Sequence, residues 1–136
     1  MDYLNHLFFG LKGRISRRDF WVGAVSILVL ESLLAIYLEQ VFNVPVEELS
    51  GPNLSDARLL EIYDQLVEIG LLINVIFLWP WISVIGKRCH DRNKSGWWTL
   101  LAYVPVIGSL WSFIELGLMR GKPGTNRYGA DPRGRP

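Results

Sequence analysis

Three long apolar stretches dominate the distribution of hydrophobic and polar residues along the chain. The first covers about residues 20–38 with Glu31 as its only charge, the second about 69–85 with none, and the third about 97–119. At about 1.5 Å of rise per helical residue, a stretch of this length approaches the roughly 30 Å of a bilayer's hydrocarbon core. The pattern therefore predicts an all-α, polytopic helical membrane protein with three apolar segments.

Local signals mark where the first two helices begin. Ser16 and Asp19 have the spacing of a capping box, so the first helix is expected to begin near Arg17. Apolar residues recur at helical spacing over about 55–68, with charged residues on the opposite face. This amphipathic lead-in is expected to join the second apolar segment in one long helix that ends near Lys87.

The third apolar segment is interrupted near its middle by Pro105 and Gly108. Because proline removes a helical hydrogen bond, the segment is either one kinked span or a re-entrant hairpin of two half-helices. Residues 1–120 are expected to form a single membrane domain, and residues 121–136 a polar tail rich in glycine, proline and arginine.

Charges are segregated along the chain although the formal net charge is only +1. Basic clusters occupy residues 12–18 and 87–94, whereas the stretch between the first two segments is acidic. Lysine and arginine near membrane ends favour the cytoplasmic side, so the N-terminus is expected in the cytoplasm. The tail is also basic; a hairpin would keep it inside, and a third single span would place it outside.

Four motifs in order resemble domain-of-unknown-function family 805, a family of small bacterial inner-membrane proteins. They lie in residues 13–21, 88–98, 105–108 and 124–132. The resemblance implies a helical fold in the bacterial plasma membrane and supplies no reaction, since the family has no assigned activity. The motif residues are Gly13, Arg14, Ser16, Asp19, Trp21, His90, Asp91, Trp97, Trp98, Asn126, Gly129, Asp131 and Pro132.

The two basic loops should meet on one membrane face, where arginine is suited to bidentate contact with phosphate. One hypothesis is a site for an anionic lipid headgroup or another phosphate. The alternative is that these charges set the topology and pair with Asp19 and Asp91. The residues proposed for phosphate contact are Arg14, Arg17, Arg88 and Arg92.

Polar residues inside the apolar segments suggest a second hypothesis. Glu31, Asn74 and Glu115 each share a helix face with small or polar neighbours. A buried carboxylate is expensive in lipid, so these faces should point toward other helices. They would either line a path in a small transporter or channel subunit, or form hydrogen bonds between helices.

His90 and Asp91 are adjacent, which invites a comparison with catalytic pairs, yet no nucleophile motif surrounds them. His6 is the only other histidine and Cys89 the only cysteine, so neither a metal site, a cofactor nor an internal disulfide is expected. A membrane enzyme that uses His90 and Asp91 is the less favoured alternative. We expect a non-enzymatic organising or sensing module with a basic cytoplasmic face, whose partners are anionic lipid and a second copy or another membrane protein, without nucleic acid.

Overall fold

The computed structural model describes residues 2–51 and 55–134, which contain helices and turns and no strand. The all-α membrane fold predicted from the sequence is confirmed. The α-helices are α1 (Asp2–Phe8), α2 (Arg17–Val41), α3 (Asp56–Asp91) and α4 (Ile107–Trp111); 3₁₀ helices cover Val46–Ser50 and Gly96–Tyr103, and a π-helical turn covers Ser112–Leu118.

The start of α2 is the predicted capping box. The Ser16 backbone N–H donates to Asp19 Oδ2 at 3.2 Å, and the Asp19 backbone N–H donates to Ser16 Oγ at 3.2 Å. The Ser16 hydroxyl also donates to Asp19 Oδ2 at 2.7 Å. These reciprocal bonds satisfy backbone N–H groups that have no partner within the helix, so α2 begins at Arg17 as predicted.

Helix α3 joins the amphipathic lead-in to the second apolar segment, as expected, but it ends at Asp91, one turn beyond the predicted end at Lys87. The helix ends before Asn93, whose φ of +59° lies in the left-handed region. The N–H groups of Asn93 and Lys94 return to the carbonyls of His90 and Cys89 at 2.9 Å each. Such a left-handed residue is a common helix terminator.

Helices α2 and α3 are long and apolar enough to cross a membrane. Only 17% of the most apolar window of α2 and 33% of that of α3 is buried within the protein. Their outward faces carry large apolar side chains such as Leu28, Val29, Leu33 and Val75, each more than half exposed. The core helix of a water-soluble protein would bury these side chains, whereas lipid accommodates them.

The chain forms two compact units, which we name here. The acidic unit is Leu28–Phe77, and the motif unit is Met1–Ile27 together with Leu78–Pro136. The acidic unit has its own apolar core around the buried side chains of Val44, Ile62 and Ile69. The motif unit includes the polar tail, and the expected membrane domain over 1–120 with a tail over 121–136 stays a prediction.

The third apolar segment is a hairpin rather than one span. Its 3₁₀ helix ends at Tyr103, and the chain turns through Val106, whose φ is +63°. The two arms pack together, since the rings of Trp98 and Trp111 stack with centroids 5.8 Å apart. A Cβ at Gly108 would lie 2.2 Å from the carbonyl oxygen of Leu101, so glycine is required where the arms meet.

Both ends of this hairpin lie at the C-terminal end of α3. The Lys122 N–H donates to the carbonyl oxygen of Asp91 at 3.0 Å, and Glu115 forms ion pairs with Arg92 at 3.1 Å and Lys94 at 2.9 Å. A single span would separate its ends by roughly 30 Å. Of the two alternatives left open by Pro105 and Gly108, the structure therefore has the hairpin.

Candidate functional site

A buried ion-pair network joins the motifs in the motif unit. Asp91 Oδ1 accepts from Arg14 Nε at 3.1 Å and from Arg14 Nη2 at 2.9 Å, and Asp91 Oδ2 accepts from Arg88 Nη1. The side chains of Arg14, Arg88 and Asp91 are at most 2% exposed. One carboxylate thus neutralises part of the charge of two guanidinium groups that water does not reach.

Arg14 also binds the backbone of the tail. Its Nη2 donates to the carbonyl of Lys122 at 2.5 Å, and its Nη1 donates to the carbonyls of Gly124 at 2.7 Å and Gly129 at 3.2 Å. Every nitrogen of this guanidinium therefore has an acceptor. Arg14 lies just before α2, so these bonds hold the tail against the start of that helix.

Arg88 binds the returning end of the hairpin in a similar way. Its Nε donates to the carbonyl of Leu116 at 2.8 Å, and its Nη2 donates to that of Met119 at 2.6 Å. Gly121 lies two residues after Met119, and a Cβ there would lie 1.8 Å from Asp91 Oδ2. Only glycine therefore allows the chain to pass this close to the carboxylate.

The phosphate hypothesis stays a prediction, and in two of its four arginines every guanidinium nitrogen already has an acceptor within the protein. Arg14 and Arg88 are buried and their nitrogens are bonded to Asp91 and to backbone carbonyls, as in the alternative of charge pairing. Arg17 is half-buried and donates to the carbonyl of Leu118 at 2.7 Å. Arg92 is half-buried and binds Glu115 Oε1 from Nε at 3.2 Å and from Nη2 at 3.1 Å.

The imidazole of His90 contacts Gly13 and Tyr128, and neither contact involves Asp91. Its Nδ1 lies 3.1 Å from the carbonyl oxygen of Gly13, and its ring stacks on Tyr128 with centroids 3.9 Å apart and planes 9° apart. Asp91 faces the two arginines instead, so it does not orient the imidazole as a catalytic carboxylate would. The described residues contain no cluster of three or more metal-ligating side chains.

The polar residues within the apolar segments have local partners. Asn74 Nδ2 donates to the carbonyl of Gly70 in its own helix at 2.8 Å, and Glu115 is paired with Arg92 and Lys94. Glu31 is half-buried in α2. The role of Glu31, Asn74 and Glu115 in a transport path stays a prediction.

The aromatic motif residues take part in the same packing. Trp21 Nε1 donates to the carbonyl of Gly117 at 3.1 Å, and a Cβ on Gly117 would lie 2.7 Å from that indole. The ammonium of Lys94 lies 4.7 Å from the ring centroid of Trp98, which fits a cation–π contact. Trp97, by contrast, is 79% exposed.

The tail motif forms a tight turn on α3. Asn126 and Gly129 exchange backbone hydrogen bonds at 3.0 and 3.1 Å, and Gly129 has a φ of +135°. Asn126 Nδ2 also donates to the carbonyl of His90 at 2.9 Å. Asp131 is buried and accepts from the N–H of Arg133, whereas Pro132 is exposed.

The sequence analysis missed the short helix α1 and the side chains that bind it. Trp79, Ser83 and Lys87 follow one another at four-residue spacing on α3, and all three donate to carbonyls at the end of α1. Trp79 Nε1 reaches Phe9 at 3.1 Å, Ser83 Oγ reaches Gly10 at 2.8 Å, and Lys87 Nζ reaches Leu7 at 2.8 Å. A cation at a helix C-terminus also interacts favourably with the helix dipole.

Tyr3 of α1 contacts the capping box of α2. Its hydroxyl donates to Asp19 Oδ1 at 3.0 Å. Partial burial raises the pKa of Tyr3, and the hydrogen bond to Asp19 makes a smaller contribution in the same direction. Asp19 therefore links α1 to the start of α2.

The exposed charges of the motif unit have one sign. Among residues whose side chains the structure describes, every exposed charged side chain of this unit is basic, and its carboxylates are buried or half-buried. The acidic unit shows the opposite pattern. The exposed cations are Lys12, Arg18, Arg120, Lys122, Arg127 and Arg133; the exposed anions of the acidic unit are Glu47, Glu48, Asp56, Glu61, Asp64 and Glu68.

The apolar helices and the motif unit define a helical membrane protein, and comparisons with known proteins assign its family. The family model described as "Protein of unknown function (DUF805)" matches residues 8–130. The chain belongs to this family, as the motifs predicted. No solved structure matches the chain.

Several Escherichia coli (strain K12) proteins are similar to the chain. "Inner membrane protein YhaH" is 32% identical over 124 residues, which cover 91% of this chain and 88% of that protein. "Uncharacterized protein YiiR" is 31% identical, and the match covers 90% of this chain and 86% of that protein. "Inner membrane protein YhaI" is 27% identical, and the match covers 91% of this chain and 86% of that protein. Together with the apolar helices, these relatives support the predicted inner-membrane location.

Proposed function

We propose that the protein is a non-enzymatic module of the inner membrane that organises anionic lipid at the cytoplasmic face. The observation that carries the proposal is the uniform sign of the exposed charges on the motif unit. Each lysine or arginine near an anionic membrane surface contributes about 1 kcal/mol of attraction. The exposed cations therefore provide several kcal/mol in favour of anionic headgroups.

The rigidity of the motif unit distinguishes this proposal from simple attraction of a flexible basic tail. Arg14 holds the tail through the carbonyls of Lys122, Gly124 and Gly129. The cations in the tail are consequently presented in fixed positions, and less side-chain and backbone entropy is lost when lipid binds. The buried arginines support the surface, while the exposed ones contact headgroups.

The proposed orientation places the N-terminus in the cytoplasm, with both α2 and α3 spanning the membrane. The hairpin supports this orientation, because it returns the basic tail to the end of α3 that carries Arg88 and Arg92. All the basic stretches then obey the preference of lysine and arginine for the cytoplasmic side. The acidic stretch between the first two apolar segments would face the periplasm.

The absence of an enzymatic role is part of the proposal. Asp91 is the carboxylate nearest in sequence to His90, and it is occupied by Arg14 and Arg88. The imidazole itself is held by Gly13 and Tyr128. These contacts suit a structural role better than proton transfer, which needs an acid or base able to reach a substrate.

The test is lipid selection in nanodiscs, which expose both faces and so do not depend on topology in the cell. The six exposed cations of the motif unit are replaced by glutamine, and the protein is reconstituted in phosphatidylcholine with a minority of phosphatidylglycerol. Native mass spectrometry then measures the lipids that stay bound. The wild type should retain phosphatidylglycerol well above its share of the mixture, and the variant should not.

The matched control replaces the six exposed carboxylates of the acidic unit by their amides. This control changes the same number of charges on exposed side chains, and it should retain phosphatidylglycerol as the wild type does. Circular dichroism establishes that both variants are folded. Equal retention by the wild type and the cation variant would refute the proposal.

A further inference from the structure

An open cavity in the motif unit is not used by the proposed function. Its volume is about 460 Å³, within the range typical of small-molecule sites. Its walls come from the loop before α2, the C-terminal part of α3, the 3₁₀ helix of the hairpin and the tail. Leu11, Ile82 and Leu100 make the wall largely apolar. Trp97 also lines the cavity, and most of its surface is exposed.

Thr99 supplies an unsatisfied hydroxyl in this wall. The residue is only 4% exposed, and its Oγ1 has no hydrogen-bond partner among the residues that the structure describes. Buried hydroxyls are normally bonded, because leaving one without a partner loses the bonds that water would have made. A threonine in a helix often bonds a preceding carbonyl, and Thr99 does not. Thr99 thus places a hydroxyl without a partner of its own in the wall of the cavity.

His90 supplies a second polar group with a defined role. A carbonyl oxygen only accepts, so the contact with Gly13 assigns the proton of the neutral imidazole to Nδ1, and Nε2 becomes an acceptor. Nε2 faces Gly96, which also lines the cavity. A Cβ built on Gly96 would lie 3.4 Å from this nitrogen. The stacked ring of Tyr128 fixes the orientation of the imidazole.

The chemistry of the cavity selects among ligands. Apart from His90, the side chains that line it carry no ionisable acid or base that is charged near neutral pH. No lysine or arginine, the cations that usually bind a phosphate, is among the residues that line the cavity. A hydroxyl, however, can donate to His90 Nε2 and accept from Thr99 Oγ1, while an attached hydrocarbon chain lies along the apolar wall.

We propose that this cavity binds the hydroxyl end of an uncharged, alcohol-headed membrane lipid, with Thr99 and His90 as its hydrogen-bonding partners. The lipid is either a diacylglycerol or a polyprenol, which share a terminal alcohol on an apolar body. The site is distinct from the exposed cations, so it does not depend on the selection of anionic lipid.

The experiment is photo-crosslinking of the full chain in phosphatidylcholine nanodiscs. Two probes are used separately, a diacylglycerol and a polyprenol, each with a diazirine near the hydroxyl end and an alkyne for detection. Labelling should map to the peptides around Trp97 and Leu100, and the more strongly labelling probe identifies the source. The phosphate ester of each probe should label these peptides at least tenfold less.

Three variants separate binding from folding. Thr99→Val keeps the shape but removes the hydroxyl, and it should reduce labelling at least tenfold while the protein remains folded. Thr99→Ser keeps the hydroxyl and should retain labelling. The matched control is Ser112→Ala, because Ser112 Oγ is also buried without a partner among the described residues but does not line the cavity.

Ser112→Ala should label like the wild type. Three outcomes would overturn the proposal: undiminished labelling of a folded Thr99→Val protein, equal labelling by the phosphate esters, or labelling that maps outside the cavity peptides. Because the exposed cations are unchanged in all three variants, failure here is distinguishable from failure of the anionic-lipid proposal.

Discussion

Replacing Asp91 by asparagine tests the buried network most sharply. The substitution keeps the size of the side chain but removes the only carboxylate that the structure places against both Arg14 and Arg88 among the described residues. Two guanidinium groups then remain buried with only neutral acceptors. We expect Asp91→Asn to destabilise the motif unit and to release the tail.

The magnitude follows from the burial of the three partners. Because Arg14, Arg88 and Asp91 are at most 2% exposed, water cannot replace the lost carboxylate without local unfolding. Removing one partner of a buried pair typically costs about 3–5 kcal/mol. This loss corresponds to an increase of about two to four orders of magnitude in the unfolding equilibrium constant.

The matched control is Arg58→Gln in the acidic unit. Arg58 pairs with Glu48 at 2.9 Å and Glu61 at 2.8 Å, but these side chains are 39–58% exposed. Exposed pairs contribute at most about 1 kcal/mol, so this variant should unfold close to the wild type. The comparison separates the loss of a buried pair from the loss of an ion pair in general.

The assay is unfolding by sodium dodecyl sulfate from mild detergent, followed by circular dichroism, together with limited trypsin digestion. Asp91→Asn should unfold at a clearly lower dodecyl sulfate fraction than Arg58→Gln, and trypsin should cut sooner after Arg120 and Arg127. If the two variants unfolded together and the tail stayed protected in both, the reasoning on the network would be wrong.

The remaining predictions concern glycine spacing and the α1 contact. Gly121→Ala should destabilise the protein by about 1–3 kcal/mol or more in the same unfolding assay, the usual cost of overpacking a core, because its Cβ would overlap Asp91. Gly70→Ala is its control, since nothing lies within 4 Å of a Cβ there and alanine favours a helix by about 1 kcal/mol; it should be neutral or stabilising. Lys87→Met should expose Asp2–Phe8 to rapid digestion by chymotrypsin while α3 stays intact; protection equal to the wild type would contradict the role of Lys87.

Features set by neighbouring residues were predictable from the sequence. The capping box of Ser16 and Asp19 depends on groups three residues apart, so its spacing identified the start of α2. The continuity of α3 followed from helical spacing of apolar residues, and only its last turn was missed. That turn depends on the left-handed conformation of Asn93, for which the sequence offered no strong signal.

Features set by distant contacts were not predictable in the same way. Pro105 and Gly108 are compatible with a kink or a hairpin, and the decision rests on the bond between Lys122 and Asp91, which are far apart in sequence. Likewise, the charge of Arg14 fits both a phosphate site and an ion pair. Its burial distinguishes them, and burial depends on where the tail packs.

Helix α1 illustrates the same limit at the N-terminus. A seven-residue helix is marginal in isolation, so its sequence carries little signal. Its stabilisation comes from Trp79, Ser83 and Lys87, which lie on α3. The four-residue spacing of these donors was visible in the sequence, but it had no meaning until α1 was known to be their partner.

The most direct test of the proposed cytoplasmic basic face is the accessibility of single cysteines to a membrane-impermeant maleimide. Arg127→Cys and Glu47→Cys are compared in intact spheroplasts and in inside-out vesicles; the native Cys89 is fully buried and gives a low background. The account predicts that Arg127→Cys labels only in inside-out vesicles and Glu47→Cys only in spheroplasts. Labelling of Arg127→Cys from the outside, or of both positions from the same side, would contradict it.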